Sequence, residues 1–276
     1  MSAPRSSRLG VCSWSLRPAS AAELAERVGA CGLRWVQLAL DPLREGAWPV
    51  AATRATLAAA GIGIVSGMMG TVGEDYSTLE AIRESGGVRP DRHWEANRRN
   101  ASACARIAHE LGLELITFHA GFLPEEQGAE RTQLVSRLRE IVDRCAEHGV
   151  RVAFETGQET AANLRAFLAE LARPSAGVNF DPANMLLYGM GEPVAALAEL
   201  APSVRQIHVK DARAAARRGE WGSEVPVGTG EVDWRRFFEV VERAGLDVDL
   251  LIEREAGEER VADIRTARAL VERVRA

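Results

Sequence analysis

The chain has 276 residues, 46% of them hydrophobic and 26% charged, with a formal net charge of -5. That balance excludes wholesale disorder, supplies enough apolar side chains for a large core, and lacks the overall basic excess that holds nucleic-acid phosphates. The four cysteines, Cys12, Cys31, Cys104 and Cys145, form no C-x-x-C pair and no run reaches about 18 apolar residues, so a cytoplasmic protein with buried or free thiols is expected, without a disulfide framework, zinc knuckle or membrane span.

Taken in chain order, short apolar runs recur eight times: "LGVCSW" (9–14), "RWVQLAL" (34–40), "GIVSGMM" (63–69), "LELITFH" (113–119), "VRVAFE" (150–155), "AGVNFD" (176–181), "VRQIHVK" (204–210) and "DLLIE" (249–253). Runs of this length without strict polar alternation suit strands covered on both faces. Between them lie segments with a 3.6-residue period, such as Leu134, Leu138, Ile141 and Cys145, or Val261, Ile264, Val271 and Val274. Glycines at 32, 61, 112, 149 and 245 stand just before strands, where a glycine ends a helix and turns the chain back.

Eight strand-then-helix repeats predict an α/β fold, a (β/α)8 TIM barrel formed as a single domain over residues 1–276. An open doubly wound sheet is the alternative, but no G-x-G-x-x-G follows the first strand. Two connections are long, 70–92 after the third strand and 211–232 after the seventh. Both leave the strand ends where barrel enzymes build active sites, so walls or a lid are expected there; tolerated surface insertions are the plainer reading.

The later strands end on chemically active residues. The fifth ends at Glu155, the sixth at Asp181, the seventh carries His208 and the eighth ends at Glu253. Singly, Asp181 before Pro182 reads as a turn or helix cap, Glu253 beside Arg254 as a surface ion pair, and His208 as a core histidine. Together they would converge on one barrel mouth as three carboxylates and an imidazole with no counter-charge from the protein. Such a cluster must protonate or take up a cation, and a divalent metal resolves it most simply. Three oxygen donors with one nitrogen suit Mn²⁺, Mg²⁺ or Co²⁺, with Zn²⁺ also compatible.

The segments "FETG", "NFDPANM", "IHVKDA", "PVGTGEVDW" and "LIERE", in this order and at these spacings, resemble the xylose-isomerase-like TIM-barrel superfamily, in its sugar and sugar phosphate isomerase and epimerase branch. The similarity spans nearly the whole chain. It implies that Glu155, Asp181, His208 and Glu253 ligate one divalent metal ion, Mn²⁺ foremost. It also implies that Glu155 and Glu253 act as catalytic acid and base on opposite faces of the substrate. The implied enzyme is a metal-dependent isomerase or epimerase of a sugar, keto-sugar or inosose, working through a metal-stabilised enediolate. Its partner is then a small sugar or polyol-derived ketone, with no nucleic acid and no membrane. Relatives include dimers and tetramers, which leaves a homo-oligomer open.

Further substrate-binding candidates are His119, which closes the fourth strand, Lys210 and Arg213 after the seventh, and Trp14 after the first. Arg217, Met68, Trp94 and Trp221 also fall at strand ends or in the long connections, while His93, His109 and His148 fall on helices and receive no role. Xylose isomerase itself resembles a two-metal enzyme with a lysine two residues past the strand-5 glutamate; here that place is Gly157. The further glutamate of ketose epimerases is matched only loosely, by Glu159.

Three other functions compete. A lyase acting on an inosose or a 3-keto-glycoside would use the same site. A nuclease resembling endonuclease IV gathers many histidines, whereas Asn184 stands where its post-aspartate histidine would fall. A non-catalytic barrel subunit is the third.

Overall fold

The eight apolar runs become strands because each is covered on both faces, by helices outside and by its neighbours' side chains inside. The structure, a computed structural model, describes residues 7–217 and 219–275. Eight parallel strands close into a barrel: β1 (Leu9–Cys12), β2 (Trp35–Ala39), β3 (Gly63–Met68), β4 (Leu115–Phe118), β5 (Arg151–Glu155), β6 (Ala176–Phe180), β7 (Val204–Val209) and β10 (Asp249–Ile252), which pairs back onto β1. The connections carry the helices α1 (Ala21–Ala30), α2 (Asp41–Arg44), α3 (Val50–Ala59), α4 (Leu79–Ser85), α5 (Asp91–Leu111), α6 (Ala129–Ala146), α7 (Ala161–Leu171), α8 (Pro182–Leu187), α9 (Pro193–Leu200), α10 (Trp234–Arg243) and α11 (Arg260–Val274). No helix among the described residues is long and apolar enough to cross a membrane.

The helical periods are spent as expected. Leu134, Leu138, Ile141 and Cys145 are all buried on α6, and α11 buries Ile264 and Val271 while Val261 and Val274 pack at the edge of the same core. Gly32, Gly61, Gly112, Gly149 and Gly245 have φ between +61° and +75°, the left-handed turn that a side chain disfavours. The main core is thus the annulus between strands and helices.

Inside the barrel the packing is different. A small apolar cluster of Cys12, Val65 and Leu251 shares that space with buried Gln37, Ser66, Thr117, Asn179, Gln206 and His208. These polar side chains satisfy one another: Gln37 Nε2 donates to Thr117 Oγ1 at 2.7 Å, Ser66 Oγ to Gln206 Oε1 at 2.6 Å, and Gln206 Nε2 to Asn179 Oδ1 at 3.2 Å. A connected network of this kind fixes side-chain orientations that an apolar filling would leave loose.

Both long connections have structure of their own. The first contains α4, whose N-terminus is capped by Thr78 Oγ1 accepting from Ala81 N. The second folds into an antiparallel hairpin, β8 (Asp211–Arg213) with β9 (Ser223–Val225). The Asp211 carboxylate accepts from the backbone of Gly228, Gly230 and Val232 and from Trp234 Nε1, and Glu224 accepts from Arg254 Nη1 at 2.6 Å, so the hairpin is tied to the barrel. Ile82, Phe122 and Tyr188 form an apolar cluster with Leu79 and Trp221, which joins both connections into one structure.

Candidate active site

Glu155 closes β5, Asp181 follows β6, His208 lies in β7 and Glu253 follows β10, four strands adjacent in the barrel. Each offers one ligand atom, and the four atoms lie within 4.8 Å of one another. His208 Nδ1 is 3.4 Å from Glu155 Oε1, 3.6 Å from Asp181 Oδ2 and 3.4 Å from Glu253 Oε2. All four residues are buried. Ligand distances of about 2.1 Å put neighbouring donors roughly 3 to 3.4 Å apart around one ion, close to the spacings found here.

Two atoms make the test sharper. His208 Nδ1 and Asp181 Oδ2 are buried and, among the described residues, have no hydrogen-bond partner. An unmet buried polar atom costs about 1–3 kcal/mol, so two of them facing the same carboxylates fit a bound cation. Asp181 is also the helix cap that its sequence context suggests: Oδ1 accepts from Ala183 N at 2.8 Å and Asn184 N at 3.0 Å, which leaves Oδ2 aimed at the cluster.

The remaining atoms are held in place. His208 Nε2 lies 2.8 Å from Gln37 Oε1, an acceptor, with Asn179 Nδ2 3.0 Å from the same nitrogen. In the neutral ring a proton on Nε2 leaves the Nδ1 lone pair to face the carboxylates; with no cation between them, burial is outweighed by Glu155 and Glu253, which hold the His208 pKa well above its ordinary value. Glu155 accepts from Asn184 Nδ2 at 3.0 Å and Asn179 Nδ2 at 3.3 Å. Glu253 accepts from Trp14 Nε1 at 2.6 Å on one oxygen and from Lys210 Nζ at 2.9 Å on the other.

Lys210 corrects the expectation that the protein supplies no counter-charge. Its buried ammonium meets Glu253, Glu255 Oε2 at 2.5 Å and, at 3.9 Å, Asp181 Oδ2. The reason is strand geometry: Lys210 is two residues past His208 and so shares its inward face. Burial disfavours charge on all these groups. Against it, Lys210 and His208 hold the Glu253 pKa well below the ordinary carboxylate value, and Glu253, Glu255 and Asp181 hold Lys210 well above its own. The barrel still presents two unpartnered donors, so the counter-charge reduces the demand for a cation without removing it.

His119 Nε2 stands 3.5 Å from Glu155 Oε1, and the Trp14 ring lies 6.1 Å from that of His208, so both border the cluster. Arg213 is exposed on β8 with Nη2 on the Thr229 carbonyl at 2.9 Å, and Arg217 pairs with Glu220. Trp94 is not at the mouth: it lies in α5 under the Arg137 guanidinium. Trp221 packs edge-on against Tyr188 at 4.9 Å. Gly157 has φ +141°, and a Cβ there would fall 2.4 Å from that of Asn184, so the site has no room for a lysine at this place. Sequence reasoning missed Gln37, Asn179, Asn184 and Glu255 as parts of the site. For Asn179 and Glu255 a signal existed, since each lies two residues from a candidate ligand along the chain.

A closed parallel barrel with carboxylates and an imidazole at its C-terminal mouth defines a TIM barrel whose mouth could hold a metal ion. Residues 21–274 match the family described as xylose isomerase-like TIM barrel, and the chain belongs to it. A xylose isomerase domain protein from Planctomyces limnophilus is 33% identical, with 91% of each chain covered and a TM-score of 0.85. A D-allulose 3-epimerase from Methylomonas sp. shares the fold at 16% identity, covering 99% of this chain and 100% of its own, with a TM-score of 0.73. So does the probable 3-DHS dehydratase AsbF from Bacillus anthracis, at 18% identity, 96% and 98% coverage and a TM-score of 0.73. No curated protein gives a significant match.

Proposed function

We propose that the protein is a divalent-metal-dependent isomerase or epimerase of a small sugar, keto-sugar or inosose. The observation that carries this reading is the pair of buried, unpartnered atoms, His208 Nδ1 and Asp181 Oδ2, set among the carboxylates of Glu155 and Glu253. Glu155, Asp181, His208 and Glu253 would hold the ion, and three carboxylates with one imidazole favour Mn²⁺. When bound, the ion polarises a substrate carbonyl and acidifies the neighbouring C–H.

The chain's own groups then move the proton. Trp14 Nε1 and Lys210 Nζ fix the two oxygens of Glu253, so this carboxylate meets substrate in one orientation and ionised, as a base needs to be. It takes the proton from the carbon beside the carbonyl; the C–H electron pair becomes the new C=C bond and the carbonyl π pair moves onto its oxygen, which gives an enediolate. Glu155, across the site, returns a proton: to the other face of the same carbon for epimerisation, to the neighbouring carbon for isomerisation. Against burial, His119 and His208 hold the Glu155 pKa below its ordinary value, so the proton it returns comes from His119, whose Nε2 lies 3.5 Å away and whose own pKa Glu155 raises. A reducing compartment such as the cytoplasm suits the four buried free thiols.

The test is deuterium exchange by NMR. Protein with Mn²⁺ in D₂O is incubated with ketoses, aldoses, inososes and 3-keto-glycosides beside Glu253→Gln. Exchange at the carbon next to the carbonyl, lost in the variant, is the expected outcome; exchange that survives the substitution defeats the assignment of Glu253. A product that has lost water or an aglycone shifts the reading from isomerase to lyase.

A further inference from the structure

The opposite, N-terminal end of the barrel holds a cavity of about 600 Å³ whose charged lining is Arg8, Arg151 and Arg205 with Glu114, Asp247 and Asp249. Arg8 is committed, its Nε and Nη2 gripping both oxygens of Asp249 at 2.7 and 2.5 Å. Arg151 meets Glu114 only at 3.7 Å, with both side chains about half exposed. Arg205 has no carboxylate partner among the described residues. Its Nη1 donates to the carbonyls of Pro202 and Val204, which leaves Nη2 and Nε free. Residues 1–6, which precede this rim, contain no Asp or Glu.

The backbone is arranged to bring Arg205 there. Val178 pairs with Val204 and Asn179 with Gln206, so Arg205 is the extra residue of a β-bulge between β6 and β7. A bulge re-aims the side chain it carries. Gly177 on the facing strand makes the room: a Cβ there would lie 2.5 Å from Arg205 Cγ and 3.2 Å from Nε. The side chain therefore passes over Gly177 and lines the cavity, partly withdrawn from water. Burial and the nearby Arg151 both lower its pKa, and no carboxylate opposes them. Arg205, which has no acidic partner among the described residues, and Arg151, held only loosely by Glu114, present forked donors that match the oxygens of phosphate and carboxylate.

We propose that Arg151 and Arg205 form a binding site for a small oxyanion, a phosphate or a carboxylate, on the N-terminal face of the barrel. It is separate from the candidate active site at the other end. The cavity is large enough for a small organic molecule bearing that group.

The experiment is a titration of the ¹⁵N-labelled full chain with inorganic phosphate and, separately, with malonate, at constant ionic strength so that screening is unchanged. Saturable amide shifts at Gly112, Leu113, Arg151 and Val248 are expected. Arg205→Gln should weaken the tighter anion about tenfold, the loss of a charge-assisted contact, with metal binding and turnover unchanged. Arg151→Gln provides the same test should Arg205→Gln melt early. The stronger of the two anions identifies the ligand as phosphate-bearing or carboxylate-bearing. No saturable shift with either anion, shifts confined to the Glu155 and Glu253 end, or an affinity indifferent to both substitutions overturns the proposal.

Discussion

Lys210 Nζ lies 2.9 Å from Glu253 Oε2 and 2.5 Å from Glu255 Oε2, so one buried ammonium serves two carboxylates at the barrel mouth. A cation bound by Glu155, Asp181, His208 and Glu253 would share Glu253 with it. Lys210→Met removes the protein's own counter-charge, and stranding a buried partner costs about 3–5 kcal/mol. The expected result is a lower Tm without metal and a larger rise on adding Mn²⁺ than the wild type shows, because the ion then meets less competing charge. Equal Mn²⁺-induced shifts in scanning calorimetry would show that Lys210 and the ion act independently.

Gln37 is the second support. Its Oε1 sits 2.8 Å from His208 Nε2 while its Nε2 reaches Thr117, so a single amide orients the imidazole from inside the barrel. Gln37→Leu removes the acceptor and frees the ring to adopt the other tautomer. Metal affinity should fall by roughly 10–100-fold, the range for losing such an outer partner, and titration calorimetry with Mn²⁺ measures it. Unchanged affinity would mean that Asn179, or Cys12, whose Sγ lies 3.7 Å from His208 Nε2, alone fixes the ring.

The four candidate ligands were legible because each ends or occupies a short apolar run, and a parallel barrel gathers such strand ends. The groups around them were harder to see. Gln37, Thr117 and Gln206 sit mid-strand, where a polar residue in an apolar run gives no hint that its neighbours across the barrel will also be polar. The hairpin of β8 and β9 escaped notice because its strands are three residues each, too short for a period, and because Asp211 and Glu224 hold it by accepting hydrogen bonds from distant backbone. Lys210 reads from the sequence only as a substrate contact after the seventh strand, since nothing there shows that Glu253 and Glu255 close around it.

Gly157 lets α8 approach the end of β5. Its φ of +141° and the 2.4 Å gap that a Cβ would meet at Asn184 predict that Gly157→Ala pushes α8 outward. Asn184 donates to Glu155, and Asp181 caps the same helix, so both ligands should shift together. The expected cost is about 1–3 kcal/mol in urea denaturation, accompanied by weaker Mn²⁺ binding. A destabilised variant that still binds Mn²⁺ with wild-type affinity would separate α8 from the metal site.

Glu159 offers a pH test away from the four ligands. It is buried just before α7, its Oε1 lacks a partner among the described residues, and burial pushes its pKa up to about 8 against a single opposing contact from the Gly157 backbone. The unfolded chain releases this proton near pH 4.3, the ordinary glutamate value, approximately as free peptides do. Between about pH 4.3 and 8 the folded state therefore binds more protons than the unfolded one, and this residue's contribution to stability declines as pH rises, by at most about 1.4 kcal/mol per unit. Above about pH 8 the decline stops. Glu159→Gln keeps the shape and removes the titration, so its stability relative to wild type should rise steadily from pH 5 to 8 in denaturant melts. A difference between the two proteins that stays constant over that range would mean that Glu159 is ionised in the fold, with water or a neighbouring donor supplying what its buried oxygen lacks.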